Sequence, residues 1–154
     1  MSTDNYSVIQ AYIDKNPIAT FSTLSEDGTP HGAAVYVCAD ENHSIVYFLT
    51  KQETLKLKNL RTNSKVGITI VNPSENSTLQ AGGIAFEVSD AHVIDTVMDK
   101  ISREHDYAND WLPPIAKIRA GAYVVIGIKL SKARLARFKG MSIGDEQTFT
   151  ELGK

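Results

Sequence analysis

Three runs of branched and aromatic residues, 18–24, 31–39 and 44–49, follow one another with only short polar turns between them. The first turn reads Glu26-Asp27-Gly28-Thr29, and an Asp-Gly pair takes up the positive φ that a tight antiparallel hairpin demands. The second, residues 40–43, is equally short. Parallel neighbours would need a crossover of about a dozen residues or more, so this stretch is restricted to an antiparallel meander. The rest of the chain has to pack around that sheet.

What surrounds the meander has a different period. Val8, Ile9, Tyr12 and Ile13 recur at helical spacing over residues 6–15, behind cap candidates Asp4 and Asn5, and Pro17 ends the helix. Leu55, Leu57 and Leu60, set among Lys56, Lys58, Asn59 and Arg61, predict a second, short helix. Residues 65–71 and 78–88 return to strand across a polar loop, 72–77. Gly82-Gly83 inside the second of these predicts a bulge or the close approach of another group. Ser89 or Asp90 caps a third helix with Val93, Ile94, Val97, Met98 and Ile101 on one face. Residues 106–114 read as a loop bearing Trp111, which either stacks on a ring or fills a core gap. Residues 123–130 are the last strand, and a basic tail with Lys132, Arg134, Arg137 and Lys139 reads as solvated surface. Mostly antiparallel strands with peripheral helices make an α+β, mainly β, domain with a barrel or strongly curled sheet.

At 154 residues the chain is sized for one domain, 1–154. A net charge of −2, with Lys and Arg dispersed, points away from nucleic acid and from anionic membranes. No run approaches the roughly 18 apolar residues of a membrane span, and residues 1–10 lack an apolar signal core, so the cytoplasm is the expected compartment. Cys38 is the only cysteine and sits in an apolar run, which predicts a buried thiol rather than a nucleophile. His31, His43, His92 and His105 lie on separate elements without zinc spacing, and no calcium loop is present. Serine-hydrolase, phosphate-loop and dinucleotide-binding motifs are also missing.

One junction has chemical promise. Through residues 49–56 a strand gives way to a helix, and a helix start presents unpaired amides and a positive dipole end to an anion. Thr50 and Thr54 add hydroxyls, while Lys51 and Lys56 add charge. The competing reading is a capping box, Thr50 with Glu53, which would satisfy the same amides internally. Gln80, two residues before the glycine pair, offers an amide donor and acceptor to a planar ring, or simply faces solvent.

Taken together, Ala19-Thr20-Phe21-Ser22-Thr23-Leu24, Asp27-Gly28-Thr29-Pro30-His31, Ala34-Val35-Tyr36-Val37, Tyr47-Phe48-Leu49-Thr50, Thr54-Leu55-Lys56 and Gln80-Ala81-Gly82-Gly83-Ile84-Ala85 resemble the pyridoxamine 5'-phosphate oxidase-like family of FMN-binding split barrels. The resemblance implies a six-stranded, mostly antiparallel split β-barrel that holds FMN at a homodimer interface. Ala34, Val35 and Tyr36 would offer backbone groups to the edge of the flavin ring, and Leu49 and Thr50 would line it. Thr54 and Lys56 match the family's phosphate grip, and Gln80 matches a glutamine that reaches the ring, in many members from the other subunit.

The departures bear on activity. Ala34 and Leu55 stand where the authentic oxidases carry basic residues, and the tail does not reproduce the family's substrate-binding end. The resemblance therefore implies an FMN-dependent oxidoreductase acting on some other small-molecule substrate or electron donor. The alternatives are a flavin-binding stress or sensor module without turnover, or a related barrel using deazaflavin or haem.

Overall fold

The Asp-Gly turn is built as its residues require. Gly28 has φ +82°. Asp27 Oδ1 accepts from the Ser25 hydroxyl at 2.5 Å and from the Thr29 amide at 3.0 Å. Those bonds, Ser25 first, hold the Asp27 carboxyl down to about 2. From this hairpin the computed structural model, which describes residues 2–104, 123–138 and 147–153, grows into a single sheet.

The elements run α1 (Ser2–Lys15), β1 (Ile18–Leu24), β2 (Pro30–Ala39), β3 (Ile45–Lys51), α2 (Leu55–Thr62), β4 (Lys65–Asn72), β5 (Ser77–Glu87), α3 (Ala91–Glu104), β6 (Tyr123–Phe138) and β7 (Gln147–Leu152). Sheet order is β3-β2-β1-β4-β5-β6-β7, and β3 also pairs with β6. That extra pairing closes six antiparallel strands into a barrel, with β7 attached outside the closure. β6 makes this possible. Its first half, through Lys129, pairs with β3, and its second half, from Ala133, pairs with β7.

Inward residues of every barrel strand meet in one core, with Phe21 and Phe48 in contact at 4.6 Å between ring centroids. Ile9, Tyr12 and Ile13 of α1 plug one side of it, and Leu57 and Leu60 of α2 another. Each such side chain contributes roughly 1.5–3 kcal/mol on burial. A second, smaller cluster lies outside the barrel. There Cys38, Tyr47, Leu49 and Val125 meet Val97 and Ile101 of α3, and Asp90 caps that helix by accepting the His92 and Val93 amides at 2.9 and 3.2 Å. Cys38 is buried, as its apolar run predicts.

The glycine pair is both things the sequence suggests. The β5–β6 register shifts between Gly82 and Gly83, skipping Ser131. A Cβ on Gly83 would lie 2.2 Å from the Lys129 carbonyl oxygen, so only glycine permits this approach.

Two expectations need correction. α1 begins at Ser2, so Asp4 and Asn5 lie within the helix and do not cap it. The basic tail is not loose surface. β6 continues to Phe138, because Lys132 and Arg134 are the outward positions of a strand whose Ala133 and Leu135 are buried, and Arg137 is exposed near its end. The expected loop at 106–114, with Trp111, lies outside the described residues. No helix among the described residues is long and apolar enough to cross a membrane.

Candidate functional site

The strand-to-helix junction has an open helix start. Thr54 is the N-cap of α2, with φ −84° and ψ 150°, and makes no side-chain cap bond. The first helical bond runs from the Lys58 amide to the Thr54 carbonyl at 3.1 Å. The amides of Leu55, Lys56 and Leu57 precede that bond and have no acceptor among the described residues. The capping box is therefore not formed. Thr50 lies in β3, one turn too early, and Glu53 is exposed.

The two threonines are engaged with one another. Thr50 Oγ1 and Thr54 Oγ1 are 2.9 Å apart, and each also reaches the Lys51 carbonyl, at 3.3 and 3.2 Å. Thr50 is only 2% exposed, so it braces the turn while Thr54 stands at the surface. Lys56 is half-buried with neither an ion pair nor a hydrogen bond among the described residues, and burial pushes its pKa down. An ammonium in that state gains from any anion brought beside it.

Behind this turn α2 is pinned from below. Buried Asn59 donates from Nδ2 to Thr23 Oγ1 on β1 at 3.0 Å. Arg61 Nε meets Glu87 Oε1 of β5 at 2.5 Å. Neither contact was foreseen, since a polar residue within a helical repeat gives no sign of its tertiary partner.

The strands beside the junction part company. β2 is laddered to β3 only through Val37–Phe48, Cys38–Tyr47 and Ala39–Val46. From Pro30 to Tyr36, β2 pairs with β1, whereas Leu49, Thr50 and Lys51 pair with β6. The backbone of Ala34, Val35 and Tyr36 thus lies on one lip of a split and that of Leu49 and Thr50 on the other. The Val35 side chain points into the core, and Leu49 packs beneath α3.

Gln80 is exposed, in a different place. Register matches put Ala34, Thr20, Thr69, Gln80, Arg134 and Glu151 in one outward row across β2, β1, β4, β5, β6 and β7. A hollow of about 380 Å³ adjoins Gln80, walled by Gly82, Lys132, Arg134 and Glu151. Arg134 is tied to Glu151 Oε1 at 2.6 Å and lies over the Phe149 ring. The alternation of charged and apolar residues from 132 to 135 was the signal for this wall. No three of His, Cys, Asp and Glu come together as a metal site among the described residues.

Comparison with known proteins gives the geometry a lineage. No curated protein matches the chain by sequence. The fold is that of general stress protein 26 from Bacillus anthracis, at 15% identity over 95% of this chain and 96% of that one, with a TM-score of 0.64. It is also that of a pyridoxamine 5'-phosphate oxidase-related, FMN-binding protein from Nostoc punctiforme, at 11% identity over 96% of both chains and a TM-score of 0.65. A haem-binding protein from Mycobacterium smegmatis shares it too, at 13% identity over 97% of this chain and 57% of that one, with a TM-score of 0.66. Identities this low speak to fold alone. The model of the pyridoxamine 5'-phosphate oxidase family, however, matches residues 7–136, from α1 well into β6. This chain belongs to the pyridoxamine 5'-phosphate oxidase family.

Proposed function

We propose that the protein is an FMN-binding oxidoreductase whose flavin phosphate is held at the start of α2. The observation that carries this reading is the uncapped helix start beside the half-buried, unpaired Lys56, next to the split between β2 and β3. A phosphate monoester supplies the acceptors that three amides and the Lys56 ammonium lack, and the Thr54 hydroxyl would turn to it from the Lys51 carbonyl. The backbone of Ala34, Val35 and Tyr36 and of Leu49 and Thr50 would flank the ring. Bound flavin would supply hydride or electron transfer, and the protein supplies binding, orientation and exclusion of water.

The same reading calls for a homodimer. Thr50 pairs with Val124 and Gln80 with Arg134, ten residues apart along β6, or about 30 Å of strand. One flavin mononucleotide does not reach that far from phosphate to ring, so the Gln80 that meets the ring belongs to a second copy. Ala34 and Gln80 of one chain are also three strands apart, about 14 Å.

The test is the visible spectrum of the purified protein before and after addition of FMN. Two flavin bands that persist through gel filtration support the reading, and a Soret band after addition of haem assigns the barrel to haem. A protein that retains neither would refute both. Turnover is tested separately, by reoxidation of the reduced flavin with candidate acceptors under anaerobic mixing.

A further inference from the structure

The wall beneath α3 is not sealed. Between the first turns of that helix and the β2–β3 turn lies a hollow of about 310 Å³, within the range of small-molecule sites. Its floor is apolar, formed by Cys38, Ala39, Tyr47, Val93 and Val97. Thr54 and Lys56 take no part in it, so it is separate from the junction at α2.

Three observations define what it suits. Tyr47 is 7% exposed, yet its hydroxyl has no hydrogen-bond partner among the described residues. That oxygen is not sealed from solvent, so it stands open at the hollow that Tyr47 lines, where it can accept from a donor. Burial first, then the nearness of Asp40 and Cys38, pushes its pKa up and keeps the phenol protonated.

Asp40 at the rim is fixed and charged. It accepts the Asn42 and His43 amides at 2.9 and 3.0 Å, and its Oδ1 is 2.9 Å from the His43 ring. Burial works to raise its pKa, but the bonds from Asn42 and His43 outweigh that and hold it below the ordinary value. Glu41 beside it is exposed and without a partner among the described residues.

The nearby cations, by contrast, are committed. Lys100 donates to the Ala39 carbonyl at 3.0 Å and lies 3.4 Å from Asp14 Oδ1. Lys129 is tied to the His43 carbonyl.

We propose that this hollow binds a small molecule with an aromatic or aliphatic body and a protonated amine. The body rests on Tyr47, Val93 and Val97, and the ammonium faces Asp40 and Glu41. Neutralising two rim carboxylates favours a cation, and an anion of the same shape is repelled.

The probe is 2-phenylethylammonium chloride, with phenylacetate as the matched anion. Each is titrated into the full-length protein, and the NMR methyl signals of Val93 and Val97 are followed. The amine should shift them saturably, and phenylacetate should bind at least about tenfold more weakly. Tyr47→Phe, which removes only the hydroxyl, should weaken the amine several-fold. Thr96→Trp, at an exposed helix position on the rim, should block the mouth and abolish binding. Should that variant not fold by circular dichroism, His92→Trp blocks the same mouth from the first turn of the helix. Absence of saturation by about 10 mM amine would overturn the proposal. So would equal binding of phenylacetate, unchanged affinity in Tyr47→Phe, or binding that survives a folded blocking variant.

Discussion

The barrel's outer surface is finished in two ways. Over β2 and β3 the chain lays its own helix, and Tyr47, Leu49 and Val125 are buried against Val97 and Ile101. Across β1, β4, β5 and the second half of β6 the described residues provide no such cover. There the outward rows are small and polar, Gly32, Ser22, Gly67 and Gly82 in one and Thr20, Thr69 and Gln80 in the next. Ile18, Val71, Ile84 and Phe86 nevertheless remain exposed on the outside. Burial on both faces makes β3 apolar without interruption from Val46 to Leu49, whereas β4 alternates between core and surface. A low, smooth wall with scattered apolar side chains suits contact with a planar group and a second copy. The helix-covered wall is suited to holding the fold together.

That contrast can be broken most directly through stability. Ile101→Ala, under α3, should cost about 2–5 kcal/mol in denaturant unfolding, while Thr69→Ala on the bare wall should stay within about 0.5 kcal/mol. Equal costs would mean the two walls do not differ in kind. Next comes the junction. Lys56→Ala should weaken FMN binding by about 1.5–3 kcal/mol, the scale of a hydrogen bond to a charged group, without loss of folding. An unchanged dissociation constant by fluorescence titration would remove the phosphate assignment.

Gln80→Ala on the bare wall should cost less, about 0.5–1.5 kcal/mol of FMN affinity. Mixing it with Lys56→Ala sharpens the comparison. If a site draws Lys56 from one copy and Gln80 from the other, each mixed dimer holds one intact site and one doubly impaired site. Recovery of a tight-binding fraction on mixing is the expected result, and its absence would place both residues in the same subunit's site.

The smallest effect is in pH. Because burial lowers the Lys56 pKa, FMN affinity should fall on the alkaline side before an ordinary lysine would deprotonate. The unfolded chain then binds more protons than the folded one between the lowered and the ordinary lysine value. Stability of the flavin-free protein should therefore rise with pH across that window. Thermal melts and binding titrations over the same range should move in opposite directions, and parallel trends would show that Lys56 does not govern them.

Much of this molecule is legible in its residues. Asp27-Gly28 specifies its hairpin because few other residues accept that backbone, and the glycine pair at 82–83 marks a bulge because a side chain at 83 would strike the neighbouring strand. Periodicity locates the three helices, since burial of one face leaves a stripe. It fails for Asp4 and Asn5, where good cap residues sit inside a helix that starts earlier. It also fails for residues 131–138, where the positive charges on the outward face hide an apolar inward face. At the candidate site, the change from strand to helix between Thr50 and Leu55 is visible in the sequence. Whether Thr50 caps that helix or braces the turn before it is not, because a one-turn difference in the helix start decides it.

Local chemistry alone thus determined where the hairpin turns, the three helices and the strands as far as residue 130, but not the second half of β6 or β7. Only the tertiary structure decided that β3 closes on β6, that β2 and β3 separate beside the junction, and that Gln80 faces outward far from Lys56. Those outcomes rest on pairings between segments scores of residues apart, and a strand's own sequence records which of its faces is buried but not which neighbour lies at its edge.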